Sequence, residues 1–485
     1  MTEGNVYDRL SDPVAFTVFI ITLLFPVGIG LYALLRTRNQ TDFFLGGRSM
    51  NAFVVGLSAV SSGRSSWLVL GLSGMAYMSG VGAVWAIVGY IGAEIWQFLH
   101  MGKRLRTETF RMDSLTLPDY FESRFNDKSG VLRTAGVVII ALFITAYVAA
   151  QFNAGAKSLS TALDISFPIA LLISGFLIMV YMVLGGYVAV AYNDVARALI
   201  MLAGLVVLPI AGLINIGGTA ALMEILTAIS PAHLDLFSLG AGAIIGFVGI
   251  GLGSPGQPHI VVRYMSVKDP KLLNYSAIAG TIWNIILGAG AICIGLIGRA
   301  IIPQQSGLPG EDPEMVYLAL SSSYFGPVLY GLLVGGVFAA ILSTADSQLL
   351  VVASTFVRDL YEKIIAKKRV ISEKRKLYLS RVVVLLSGIL AMLLAYTAQD
   401  LVFWLVLFAW GGLGASFGPA LILSLFWKKT TRLGVLAGMI AGTTITIVWW
   451  LFLKDATGVY ELIPAFFGAA AVTIGVSLGS RERAG

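Results

Sequence analysis

The sequence predicts an all-α membrane protein that crosses the bilayer about thirteen times. Three observations predict it. Hydrophobic residues make up 57% of the 485 and charged residues 12%, where soluble domains carry roughly 25% charged. Apolar runs of about 20 residues, each long enough to cross a bilayer, recur from end to end. Basic residues gather in every second connecting link, the pattern of a chain whose loops lie alternately on two sides of a membrane.

In order, the spans are expected at 13–35, 51–78, 81–101, 131–156, 164–185, 189–215, 237–262, 273–298, 325–354, 377–397, 400–426, 433–453 and 460–479. The segment 103–133 carries Lys103, Arg104, Arg106, Arg111, Arg124, Lys128 and Arg133, and the segment 358–376 holds KKR and KRK runs. Shorter basic links lie at Arg36 to Arg48, Arg263 to Lys271, and Lys428 to Arg432, with Arg481 and Arg483 in the tail. Residues 216–236 and 300–320 contain no Lys or Arg. The positive-inside rule then places the N-terminus outside and the C-terminus in the cytoplasm of a cell (inner) membrane. The net charge of +7 belongs to solvated loops, so no nucleic-acid partner is expected. Neither is an obligate protein partner.

Other features narrow the class. The one cysteine, Cys293, lies in an apolar run, so no disulfide framework is expected. The N-terminus is polar and the first apolar run long, which argues against a cleavable signal peptide. No loop is long enough for an independent core. The chain is therefore expected to act inside the bilayer, with lipid around it, as a single transmembrane unit and not as an enzyme.

Two spans are interrupted. The second contains SSGRSSW at 61–67, and the seventh contains GIGLGSPGQP at 249–258. Polar or Gly/Pro-rich breaks at membrane depth free backbone groups, which is tolerated only where they line a cavity or are buried in protein. A matched pair of such breaks points to a transporter built from inverted repeats, with ion and solute bound at the breaks. A simple kink is the bland alternative for either break alone. Arg64 sharpens the choice, because a guanidinium at mid-span costs about 2.5–3.5 kcal/mol on insertion scales.

Intramembrane acids are functional candidates. Asp194 follows AVAYN, and Asp346 lies in ILSTADSQLL with Ser343, Thr344 and Ser347. Spacings of three and four put Ser343, Asp346 and Ser347 on one helical face. Hydroxyl, carboxylate and carbonyl oxygens suit a hard cation such as Na⁺. The competing reading is a helix contact glued by small polar residues. Glu94 is expected to be structural, either paired with a nearby cation or protonated. Trp67 and Tyr147 read as packing unless the break lies beside them, as it does for Trp67.

These motifs resemble the sodium:solute symporter family, with the strongest likeness to its bacterial sodium/proline branch. The likeness runs through FFLGGRSM at 43–50, DSLTLPDYFESRF at 113–125, GGYVAVAYNDVARALIM at 185–201, GQPHIVVRYM at 256–265, AAILSTADSQLLVVAS at 339–354 and FGPALILSLFWKKTTRLGVLAGMIAG at 417–442. The resemblance implies a LeuT-type core of two inverted five-helix repeats, 51–215 and 237–426. One extra span, 13–35, precedes the core, and two, within 433–479, follow it. It implies a sodium site on the carbonyls of Ser61 and Arg64 and the hydroxyls of Ser343 and Thr344. It also implies, as in some members, a second sodium near Asp194 with Ser343, Asp346 and Ser347. The solute pocket would include Ser62, Gly63, Arg64, Trp67, Tyr147, Ile250, Ser254 and Asn284.

The chain departs from the proline branch at four of these positions. That branch has an aspartate where Gly63 stands, an apolar residue at Arg64, and aromatics at Ile250 and Ser254. Three roles stay open for Arg64. It binds a solute carboxylate, for which its fork geometry is suited. Or it replaces a cation and pairs with Asp346 or Asp194. Or it makes a structural pair or caps carbonyls at the break. The function implied is sodium-coupled symport of a small polar organic solute by alternating access, the solute being an amino acid such as proline or a carboxylate. The alternatives are a proton-coupled or sodium-independent carrier, and a sensor on a transporter fold. A sensor would need a separate signalling partner, since the tail after the last span is short.

Overall fold

In a membrane each apolar run must satisfy its backbone within itself, and a helix is how a single segment does so. The computed structural model describes residues 10–34, 40–182, 187–366, 372–398 and 401–481. Among these the regular elements are helices. Those that build the bundle around the breaks are α1 (Pro13–Leu34), α2 (Ala52–Ser66), α3 (Ser73–Ser79), α4 (Val84–Trp96), α5 (Val131–Leu163), α6 (Phe167–Met182), α7 (Tyr187–Ile216) and α8 (Gly240–Gly249). They continue with α9 (Pro258–Ser266), α10 (Leu273–Ile301), α11 (Pro327–Ser354), α12 (Glu373–Thr397), α13 (Val402–Phe426), α14 (Arg432–Val448) and α15 (Leu462–Arg481).

Nine helical stretches among the described residues are long and apolar enough to cross a membrane. One of them, Ala52–Arg111, contains both the second and the third expected spans, because the link at Gly80–Ala83 stays helical. Pro13–Pro26, Phe167–Met179 and Gly240–Gly256 are shorter apolar helices. The expected division at residues 185–187 falls mostly outside the described residues.

Both expected breaks are present. In the first, α2 ends where Ser65 turns to φ 51°, ψ −166°. A π-type turn, Trp67–Leu72, then leads into α3. In the second, α8 gives way to a tight 3-10 turn, Ile250–Gly256, and an extended Gln257. Pro258 at the first helical position then starts α9, a position where its missing N–H costs nothing. Glycine is required in this turn. A Cβ on Gly253 would lie 2.1 Å from Trp410 Nε1, and one on Gly251 would lie 2.1 Å from the Gly89 carbonyl.

The two sets of loops gather at opposite ends. At one end Arg48 donates to the carbonyls of Thr109 and Ser114, Arg106 to Val267 and Arg124 to Ser424. Arg133 there pairs with Asp119, Glu122 and Asp359, and Arg432 with Asp127. At the other end Trp85 donates to Leu236, Tyr77 to Ile302, and Lys157 pairs with Asp312 and Glu314. The basic links described thus share one face of the bundle, as the charge alternation expects.

α2 packs against α7, α9, α10 and α11, while the unwound turn at 250–256 packs against α4 and α13. α1 leans on α7 and α11, and α14 and α15 pair outside α13. Leu172, Phe176, Ile214, Leu386 and Phe452 are exposed, as lipid-facing side chains must be. One group of buried polar residues lies where the two breaks meet the neighbouring helices.

Candidate functional site at the helix breaks

The freed backbone of the first break faces the hydroxyl-rich helix α11. Ser343 Oγ donates to the Ser61 carbonyl at 3.2 Å and to the Ala340 carbonyl at 2.9 Å. Thr344 Oγ1 donates to the Ser62 carbonyl at 3.0 Å. Of the expected sodium ligands, Ser61, Ser343 and Thr344 are therefore together. The Arg64 carbonyl accepts the Trp67 N–H and so belongs to the restarting helix. The sequence reasoning missed the carbonyls of Ser62 and Ala340, because backbone ligands leave no trace in side-chain type. Across the break, Gln151 of α5 accepts from Ser66 Oγ at 3.0 Å.

Arg64 is 1% exposed, and its partner is neither of the two acids expected. Its Nη2 lies 2.7 Å from Glu94 Oε2. Its Nε donates to Asn284 Oδ1 at 2.8 Å, and Asn284 Nδ2 donates to Glu94 Oε2 at 2.6 Å. The guanidinium also lies 3.7 Å from the centre of the Tyr90 ring. Tyr90 and Glu94 stand one turn apart on α4, so one helix face presents both. A pair with Asp194 or Asp346 is corrected to a pair with Glu94. The reason is positional: just before the turn at Ser65 the side chain points towards α4 and α10, away from α7 and α11. Glu94 Oε1 lies 3.7 Å from where a Cβ on Gly63 would be. An acid from α4 thus stands close to the break at the position where the family's aspartate is missing.

Asp194 and Asp346 carry guanidinium partners of their own. Arg263 Nη2 lies 3.1 Å from Asp194 Oδ2 and 2.8 Å from Ser62 Oγ, and it also donates to Ser347 Oγ. Ser58 and Ser62 donate to the same Asp194 oxygen at 2.6 and 2.8 Å. Asp194, Ser62 and Ser347 therefore form one cluster, as the second-sodium set expects for Asp194 and Ser347. Its centre is a guanidinium nitrogen. Asp346 pairs separately with Arg197 Nη1 at 2.6 Å, and Ser343 faces the break. Ser62, expected in the solute pocket, belongs to this cluster. Arg263 was legible only as part of a basic link; its position at the end of α9 turns it inward.

A narrow cavity lies beside the break. Gly63, Arg64, Trp67, Tyr147 and Ile250 line it, as expected, together with Tyr90, Val406, Leu407 and Trp410. Trp67 is wedged between Tyr90, edge-on at 5.9 Å, and Phe403, stacked at 5.4 Å. Trp410 is fixed by donating to the Ile250 carbonyl at 2.8 Å, a group freed by the second break. The Ser254 hydroxyl is buried with no hydrogen-bond partner and is not in the lining, and Asn284 stands behind Arg64. The α13 wall was missed because Val406, Leu407 and Trp410 look like any apolar span. A second, larger cavity runs from Leu115–Pro118 and Thr355, at the basic end, to Arg263 and Ser347.

A cavity lies between two broken helices, with hydroxyls set against freed carbonyls beside it. This is the architecture of a secondary transporter. Residues 43–442 match the sodium:solute symporter family, and the chain belongs to that family. It is 35% identical over 490 residues to the sodium/proline symporter of Staphylococcus aureus, covering 98% of this chain and 95% of that one. Its fold is similar to a Na⁺-coupled sialic acid symporter in a substrate-bound outward-open state, with TM-score 0.80, 19% identity, and 96% and 97% of the two chains covered. It is similar also to a nucleobase-cation-symport-1 family transporter in a closed conformation, with TM-score 0.57, 13% identity, and 92% and 95% covered. The protein is thus a secondary transporter of the sodium:solute symporter family and not an enzyme.

Proposed function

We propose that the chain takes up a small polar organic solute, bound in the cavity beside Arg64, together with one sodium ion at the first break. The ion sits among the carbonyls of Ser61 and Ser62 and the hydroxyls of Ser343 and Thr344. The observation that carries this reading is the approach of those two hydroxyls to the two freed carbonyls, at 3.2 and 3.0 Å. A sodium ion entering there replaces two hydrogen bonds with oxygen ligation by the same four atoms. Only one sodium is proposed, because at Asp194 the Arg263 guanidinium already supplies the positive charge. Thirteen crossings, two inverted five-helix repeats and a cytoplasmic basic end complete the proposal. The larger cavity is then the inner vestibule.

Binding to the folded state alone stabilises a protein by about 2.7 kcal/mol at a hundred times the dissociation constant. The purified protein should therefore melt at a higher temperature in Na⁺ than in K⁺ at equal ionic strength. Thr344→Val keeps the side-chain shape and removes one ligand, so its melting temperature should no longer rise with Na⁺. An unchanged Na⁺ response in Thr344→Val would place the ion elsewhere.

A further inference from the structure

Every buried acid at the breaks carries a guanidinium. Glu94 holds Arg64, Asp194 holds Arg263 and Asp346 holds Arg197. Each pair is neutral. His259 lacks a carboxylate partner among the described ion pairs and is counted uncharged, since a buried charge without a partner is costly. A sodium ion on the carbonyls of Ser61 and Ser62 therefore meets no spare carboxylate. An unbalanced charge at this depth costs several kcal/mol, so the countercharge must arrive with the solute.

The cavity is lined to receive one. Arg64 Nη1 donates only to the adjoining Gly63 carbonyl, at a long 3.4 Å. The Trp67 indole N–H is buried and meets no acceptor. Both are donors short of an acceptor, and a carboxylate supplies acceptors alone. No side-chain carboxylate is among the residues lining the cavity, and Glu94, behind Gly63, is already compensated by Arg64, so a solute ammonium would find no uncompensated acid there.

We propose that the solute is a small monocarboxylate of net charge −1 and not a zwitterion. This rests on the sodium position given above. Ion and solute neutralise each other across the first break, which makes each necessary for the other. Arg64 contacts the solute carboxylate. Glu94 is a positioning residue that sets the charge count. Two consequences follow from the count. Without the Glu94 charge, Arg64 and the carboxylate balance on their own and sodium is no longer needed. Without the Arg64 charge, Glu94 balances sodium and the site favours a zwitterion.

The test is thermal stabilisation of the purified full chain by acetate, propionate, lactate and pyruvate against proline, alanine and glycine betaine, each in Na⁺ and in K⁺. Wild type should bind at least one carboxylate in the millimolar range in Na⁺, about tenfold or more tighter than any zwitterion and tighter than in K⁺. Glu94→Gln should bind that carboxylate with its Na⁺ dependence cut about tenfold or more. Arg64→Met should prefer a zwitterion; where it fails to fold, the Glu94→Gln arm decides. Tighter binding of a zwitterion by wild type, no carboxylate binding, or an unchanged Na⁺ dependence in Glu94→Gln overturns the proposal. If Na⁺ still tightens solute binding in those cases, the symport reading stands. If Na⁺ changes nothing in wild type, the sodium position itself is wrong.

Discussion

Arg64→Met removes one partner of a buried ion pair whose two side chains are each 2% exposed. Glu94 then keeps only the Asn284 amide, at 2.6 Å. Breaking a buried pair on one side costs about 3–5 kcal/mol, because the other charge is left without compensation. The lost stacking on Tyr90 adds up to about 2 kcal/mol. Glu94→Gln strands the guanidinium in the same way, though Asn284 and the Tyr90 ring still hold it. In the double variant both charges are gone, and Gln at 94 can still bond Asn284. Its cost should fall to about 1–3 kcal/mol, the order of a lost buried polar contact. The double-mutant cycle should therefore give a coupling energy of at least about 3 kcal/mol, at or above the top of the 0.5–3 usual for contacting residues. The assay is unfolding of the four proteins in one detergent under one salt condition. Additive single costs, with coupling under about 0.5 kcal/mol, would show that Glu94 does not balance Arg64.

Other outcomes follow from single contacts. Gly253→Ala sets a Cβ 2.1 Å from Trp410 Nε1, and overpacking of this kind costs about 1–3 kcal/mol; melting should drop and solute affinity with it, since Trp410 walls the cavity. An unaltered melting temperature would show that the turn at 250–256 is loosely held. Asp119 lies outside the spans: burial raises its pKa, but Arg358 and Arg133, with the Leu115 N–H, outweigh this and hold it below 3.8. A carboxyl lower in the folded than in the unfolded state contributes stability that is full above about pH 4 and lost as pH falls through the folded value. Asp119→Asn should flatten that acid limb of a melting-temperature-against-pH curve, and an equally steep limb in the variant would assign it to another group.

The sequence by itself determined the all-helical membrane class, the two breaks and the two ends. Each rests on something one segment carries alone: a run long enough for the bilayer, a Gly/Pro or polar interruption within it, a sign of charge in the link beside it. The same locality made Ser343, Thr344 and Asp194 legible, because a hydroxyl or an acid inside an apolar run costs energy wherever the run sits. The tertiary structure alone decided which cation each acid holds. Arg64 and Glu94 are 30 residues apart in number yet 2.7 Å apart in space, and Arg263 turns inward from what reads as a surface link. Pairing depends on the direction in which each helix presents its side chains, and one sequence carries no measure of that between segments. Glu314 is a further case. In sequence it is one acid of an acidic outer loop; in the fold its carboxylate accepts the first N–H groups of α13 from Val402 and Phe403, both at 2.8 Å. A carboxylate there complements the positive end of a helix dipole, and only the approach of loop 300–320 to α13 brings it there.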